Sequence, residues 1–411
     1  MRAGTIPLAV GALSATAVAG AYRPLLRRWP VSTIGALLSF SASETPLLVA
    51  GTQLVAAAAA ARAGGMLGTA GAAVNLAGLA GAVGLAGDAR RSAQVLADAL
   101  VEAGVPDASV VSTRRPPGLL SGPVARRRYR RVADVSYSEH GPYGTLDVWH
   151  RTDLPLDGRA PVLMQVHGGA WQTGDKRGQA EPLLGYLAER GWVCVTVNYR
   201  LAPASRWPAM VVDVKRAIAW VREHIGGHGG DPDFIAITGG SAGGHLAALA
   251  ALSPNDHDYQ PGFTEVDTSL AAAVPLYGVH DFTRDRQGLW PLLEGKVIGT
   301  TFAADERTWR QASPALRVGP HTPPFLVIHG STDAIAGVEQ SRRLVRALRA
   351  DSPAPVGYAE LPHAQHGFDA LATARTAHTA DAVHRFLTDV HRRAVSARAG
   401  ETERKVAGAA R

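Results

Sequence analysis

The chain has 411 residues, of which 46% are hydrophobic and 19% charged, which excludes a wholly disordered protein and fits a large domain with an appendage. A single cysteine, Cys194, excludes an internal disulfide framework and a Cys-rich zinc site. The net charge of +7 is matched by the seven arginines of residues 114–131, a stretch with no acid. No recognisable nucleic-acid module accompanies that charge, so no nucleic-acid partner is expected.

Residues 1–87 hold six of the 77 charged residues and are rich in Ala and Gly, so they read as an apolar helical region. Thr5–Tyr22, Pro46–Ala61 and Gly65–Gly87 are candidate membrane spans, since a bilayer core takes about 20 apolar residues. The middle one is short unless it draws on Val31–Phe40 across the polar Ser41–Thr45 break. A signal peptide at Thr5–Tyr22 and a soluble Ala-rich helical domain are the competing readings. Gly78, Gly81, Gly84 and Gly87 recur every third residue, which permits close helix approach in lipid or reflects composition alone. Arg23, Arg27 and Arg28 follow the first span, and Arg90 and Arg91 the third. With three spans, the positive-inside rule puts residues 88–411 in the cytoplasm. A multi-pass membrane protein touching membrane lipid through its N-terminal region is therefore expected.

Residues 88–131 read as an Arg-rich linker, punctuated by Pro116, Pro117, Gly118, Gly122 and Pro123. Its arginines suit an anionic membrane surface or plain solvation. A chain starting near Arg126 is accordingly expected to be soluble and active. Residues 132–395 alternate strand and helix. Val132–Tyr137, Leu146–His150, Val162–His167, Val193–Tyr199, Phe234–Thr238, Ala272–Leu276, Phe325–His329 and Val356–Leu361 read as strands, several of them nearly continuous apolar runs buried on both faces. Helical patterns intervene at Glu181–Arg190, Pro208–Ile225, Ala242–Leu252, Val338–Ala350 and Thr373–Val395. The expected fold is α/β, a doubly wound, mostly parallel eight-stranded sheet. A small cap insertion is expected at about 278–322 and a polar tail at 396–411.

The sharpest motif is Gly239-Gly240-Ser241-Ala242-Gly243, between an apolar strand and a helix. That context marks a nucleophile elbow, in which small neighbours let a strained turn expose the serine oxygen. His167-Gly168-Gly169-Ala170-Trp171 ends the third strand. The N–H groups of Gly168 and Gly169 would join that of Ala242 as an oxyanion hole, with His167 holding the loop. A hydrolase elbow requires serine, then acid, then histidine along the chain. Asp333 follows the seventh strand and His366 the eighth, so both reach the sheet edge that carries Ser241. His363 competes with His366, and Asp281 is an alternative acid beside Asp285. Asp213 is read as a structural partner of Arg200. Trp171 and Trp290 are candidate substrate-binding side chains, or simply packed ones. In this scheme His366 takes the Ser241 proton, Asp333 holds its tautomer, and Ser241 forms an acyl-enzyme.

These motifs, with Asn198-Tyr199-Arg200-Leu201-Ala202-Pro203 and His366-Gly367-Phe368, resemble the hormone-sensitive-lipase-like branch of the α/β-hydrolase carboxylesterases over roughly residues 130–393. The apolar N-terminal part is similar to that of membrane-associated actinobacterial esterases. The resemblance implies a serine carboxylesterase or lipase-type hydrolase acting on a small-molecule or lipid ester, without metal or organic cofactor. Ala170 departs from the commoner third glycine, and Ala334-Ile335 from the usual Pro-Leu after the acid. A serine peptidase or amidase of the same fold, or a non-catalytic relative that binds a small molecule, are the alternative readings.

Overall fold

Eight strands form one sheet in the computed structural model, which describes residues 5–26, 30–108, 125–284 and 288–409. They are β1 (Tyr129–Ser136), β2 (Thr145–Arg151), β3 (Ala160–Val166), β4 (Val193–Val197), β5 (Gly230–Gly240), β6 (Ala272–Leu276), β7 (Phe325–Gly330) and β8 (Val356–Leu361). The spatial order is β1-β2-β4-β3-β5-β6-β7-β8. β2 pairs antiparallel with both β1 and β4, and every later pairing is parallel. β5 thus lies inside the sheet, between β3 and β6.

The helices follow in chain order as α1 (Thr5–Tyr22), α2 (Val31–Glu44), α3 (Pro46–Ala63), α4 (Gly65–Glu102), the single turn α5 (Ala125–Arg128), α6 (Glu181–Ala188), α7 (Ala209–His224), α8 (Ala242–Ala251), α9 (Trp290–Leu292), α10 (Glu306–Gln311), α11 (Glu339–Asp351) and α12 (Ala374–Ala409). Successive side chains on a strand point to opposite faces. On β5, Ile235 and Ile237 enter the core shared with α7, α8, α11 and the insertion after β6. Phe234 and Ala236 enter the opposite core, shared with α6, α12 and α4.

α1, α3 and α4 are each long and apolar enough to cross a membrane. They pack closely through small residues: a Cβ added at Gly68 would lie 2.5 Å from the Ala60 carbonyl oxygen. α2 is a separate helix, and the expected polar break at Ser41–Thr45 is helical as far as Glu44.

The boundary at residue 88 is corrected. α4 runs unbroken for 38 residues, about 57 Å. Its second half is part of the hydrolase core, where Leu96, Ala97, Ala99 and Leu100 are buried. Gly357 on β8 faces this helix so closely that a Cβ would meet the Ala99 carbonyl oxygen at 2.5 Å. The helix stops at Gly104, with φ +69°. There the Gly104 N–H donates to Val101 O at 2.9 Å and the Val105 N–H to Leu100 O at 3.0 Å. That pattern closes a helix with a left-handed glycine. Residues 109–124 of the expected linker lie outside the described residues. The polar tail is also revised: α12 continues to Ala409, and Arg398 pairs with Asp231 at 2.9 Å.

Because α4 fills a core layer, a chain starting near Arg126 should aggregate, contrary to the expectation from the sequence. In the full chain, Leu100→Ala should cost about 2–5 kcal/mol in denaturant unfolding. Leu54→Ala, on the outward face of α3, should stay within roughly 0.5 kcal/mol. Equal effects at the two positions would contradict this packing.

Candidate active site

Ser241 links β5 to α8 in a conformation that few side chains adopt, with φ 58° and ψ −122°. Its surroundings enforce the turn. The Ser241 N–H donates to Leu276 O on β6 at 3.0 Å. Gly243 passes so near β3 that an added Cβ would sit 2.0 Å from Val166 O. The serine oxygen is left above the C-terminal edge of the sheet.

The loops after β7 and β8 meet it there. His366 Nε2 lies 2.8 Å from Ser241 Oγ, and His366 Nδ1 lies 2.6 Å from Asp333 Oδ2. Asp333 is buried, and its Oδ1 accepts the N–H groups of Ile335 and Ala336, each at 2.8 Å. His329 Nε2 stands 3.3 Å from Asp333 Oδ2. Burial opposes the carboxylate charge of Asp333. The charge of His366 and hydrogen bonds from His329 and His366 outweigh it and hold the carboxyl well below the usual range. Asp333 therefore stays ionised and fixes the His366 proton on Nδ1, leaving Nε2 to accept from serine.

The other acids and histidines lie elsewhere. His363 Nδ1 is 2.8 Å from Asp88 Oδ2 on α4. Asp281 accepts from the Thr283 N–H and hydroxyl. Asp213 binds Arg200 through both carboxylate oxygens. Asp285 lies outside the described residues. His167 stacks on Tyr199 with ring centroids 4.3 Å apart, and burial pushes its pKa down to about 4. It packs as a neutral side chain that holds the loop.

Two expected binding groups, Trp171 and Trp290, are corrected, and one expected oxyanion donor, Gly168, is found engaged. The Gly168 N–H donates to Gln179 Oε1 at 2.8 Å, so this donor is already engaged. Gly169 and Ala242 remain, the latter in the first turn of α8, where an N–H has no acceptor within the helix. Trp171 is a core residue, 1% exposed, donating to His245 Nδ1 at 3.1 Å and packed edge-on against Phe282. Trp290 stacks on Trp309 at 4.4 Å and donates to Glu294. Neither tryptophan lines the cavity above Ser241.

That cavity holds about 550 Å³, a size suited to a small ligand. Its walls include Thr33, Gln165, Gln179, Tyr277 and Asp369. Tyr277 donates to Asp369, whose carboxyl is raised by burial. Of these only Asp369 carried a signal, as a neighbour of His366.

A mostly parallel sheet with a serine at this elbow and a histidine and aspartate on the following loops defines a serine hydrolase of the α/β-hydrolase class. The BD-FAE family matches residues 147–348. The probable carboxylic ester hydrolase LipM of Mycobacterium tuberculosis is 45% identical over 409 residues, covering 93% of this chain and 93% of LipM. Esterase LipQ of the same organism is 46% identical over 328 residues, covering 76% of this chain and 78% of LipQ. A solved structure of Thermogutta terrifontis esterase 2 phosphonylated by sarin aligns with TM-score 0.50 and 26% identity, over 57% of this chain and 85% of that one. The chain belongs to the family of carboxylic ester hydrolases that includes LipM and LipQ.

Because Trp171 is packed away from the cavity, Trp171→Ala should act on stability. A loss of about 3–5 kcal/mol is expected in denaturant unfolding. The KM for a small ester should change less than twofold. A large KM change with intact stability would return Trp171 to the binding site.

Proposed function

We propose that this carboxylic ester hydrolase works through an acyl-enzyme on Ser241, with His366 as general base and acid and Asp333 as its orienting carboxylate. The hydrogen-bonded line from Ser241 Oγ through His366 to Asp333 carries the reading. Ser241 Oγ attacks the ester carbonyl carbon while its proton passes to His366 Nε2. The oxyanion is met by the N–H groups of Gly169 and Ala242, and by that of Gly168 once the Gln179 side chain turns aside. Each such donor is worth about 2.7–4 kcal/mol of barrier. Collapse expels the alcohol, which takes the proton from His366. Water, deprotonated by the same nitrogen, then releases the acid. The substrate is a small-molecule or lipid ester.

The membrane reading belongs to the same proposal. α1, α3 and α4 cross the bilayer, and the hydrolase domain faces the cytoplasm. The apolarity of these helices supports it, as does the placement of Arg23, Arg90 and Arg91 against the lone Arg62.

Ser241→Ala should abolish ester hydrolysis in a folded protein, and a fluorophosphonate should label Ser241 in the wild type. Asp333→Asn should lower kcat by about 10⁴-fold, because it changes the tautomer that the histidine presents. His366→Ala should cost far more turnover than His363→Ala. Full activity in folded Ser241→Ala protein would end the serine mechanism. For sidedness, a cytoplasm-active reporter fused after Arg411 should work and a periplasm-active one should not; the reverse pattern would turn the domain outward.

A further inference from the structure

α2 is built inside out for a helix in water. A helix at a protein surface buries its apolar stripe and exposes its polar face. Here Ser32, Ser39, Ser43 and Glu44 are buried, while Ile34, Leu37 and Leu38 are 55%, 71% and 43% exposed. An outward apolar face of this kind suits contact with lipid. Yet α2 has 14 residues, about 21 Å, too short for a hydrocarbon core of about 30 Å. It packs beside α1, α3 and α4, so its apolar face continues the apolar surface of the three span-length helices. A short helix with that neighbourhood fits the plane of the membrane interface.

The same helix reaches the active site. Thr33 lines the cavity that holds Ser241 and His366, and its hydroxyl is buried there without a partner among the described residues. Across the rim, Ala370 is followed by Leu371, itself 42% exposed. α2 is seated firmly. Glu44 pairs with buried Arg375, and the Ser43 hydroxyl donates at 2.7 Å to the carbonyl of His363, three residues before His366. The cavity wall and the lipid-facing surface are thus two faces of one helix.

From this placement, and resting on the esterase and membrane readings above, we infer that α2 is a membrane-interface helix forming one side of the cavity entrance. The site then draws its ester from the bilayer. The substrate class is a lipid ester whose apolar chain slides past Thr33 while its carbonyl reaches Ser241. The outward faces of Ile34, Leu37 and Leu38 hold the entrance at the depth of the ester groups.

The test uses the full chain in phosphatidylcholine vesicles and compares two probes. p-Nitrophenyl acetate is supplied in water, and 4-methylumbelliferyl palmitate is embedded in the vesicles. Rates are referred to the fraction of Ser241 labelled by fluorophosphonate, so loss of folded protein does not enter. Leu37→Asp and Ile34→Asp should each lower the ratio of the palmitate rate to the acetate rate at least tenfold. A change below threefold in both variants overturns the bilayer route. A second measurement needs no change of charge. Cys194 is fully buried, so a Leu37→Cys protein takes a thiol-reactive nitrobenzoxadiazole dye at position 37. The dye should emit to the blue of its value in water and be quenched by spin-labelled lipid. Water-like emission, or a blue shift without lipid quenching as at a contact with a second copy, overturns the proposal. Wild-type protein that neither labels at Ser241 nor cleaves either ester defeats the esterase reading instead, which separates the two failures.

Discussion

One backbone constraint organises the chemistry. Ser241 sits at φ 58°, a conformation that costs on the order of 1–3 kcal/mol and persists only where the surroundings over-determine it. They do so because β5 is interior, with β3 on one side and β6 on the other. The strand to its left requires glycine at position 243, and the strand to its right accepts the Ser241 N–H. The loops after β3, β7 and β8 then have one place to converge. The hydrogen bonds of His366 and Asp333 follow from that geometry and do not create it.

A second set of contacts decides how the N-terminal helices sit on the sheet. Arg375, at the start of α12, is 1% exposed and reaches Glu44 and Ser43 on α2, Ser92 on α4 and the carbonyl of Pro362. A buried ion pair is a weak source of net stability, because desolvation offsets most of the attraction. Its loss is costly in one direction only, when one charge is left alone. Such a pair discriminates among ways of docking two apolar surfaces that would otherwise slide. Here it ties three helices and the loop ahead of His366 into one register. His363 does similar work through Asp88 and an edge-on contact with Tyr22 at 4.8 Å.

The sequence made the sheet readable wherever burial on both faces left continuous apolar runs. Ala272–Leu276 and Val356–Leu361 match their observed strands, and the interior strands differ from expectation chiefly at their ends. The elbow was legible because its chemistry is local: small residues, then serine, between a strand and a helix. What escaped was not local. The change in polarity at Asp88 looked like the end of α4, yet a helix ends on a stop signal, and the operative one is Gly104. Trp171 resembled a pocket wall until His245 and Phe282, distant in sequence, enclosed it. Thr33 and Gln165 face the cavity from a helix and a strand with no motif around them. Only the approach of α2 to the loop after β8 gives Thr33 its position.

The continuity of α4 has a mechanical consequence. A helix of 38 residues without a break between its apolar first half and its core-packed second half contains no hinge. The bundle and the hydrolase are therefore joined by continuous helix and not by a loop, and on the proposed membrane reading the site would keep one height and one tilt. For such an enzyme in a bilayer, encounter is a two-dimensional search. Turnover would scale with molecules of substrate per unit area of membrane, and diluting that membrane with inert lipid would slow it as surely as diluting a solution slows a soluble enzyme.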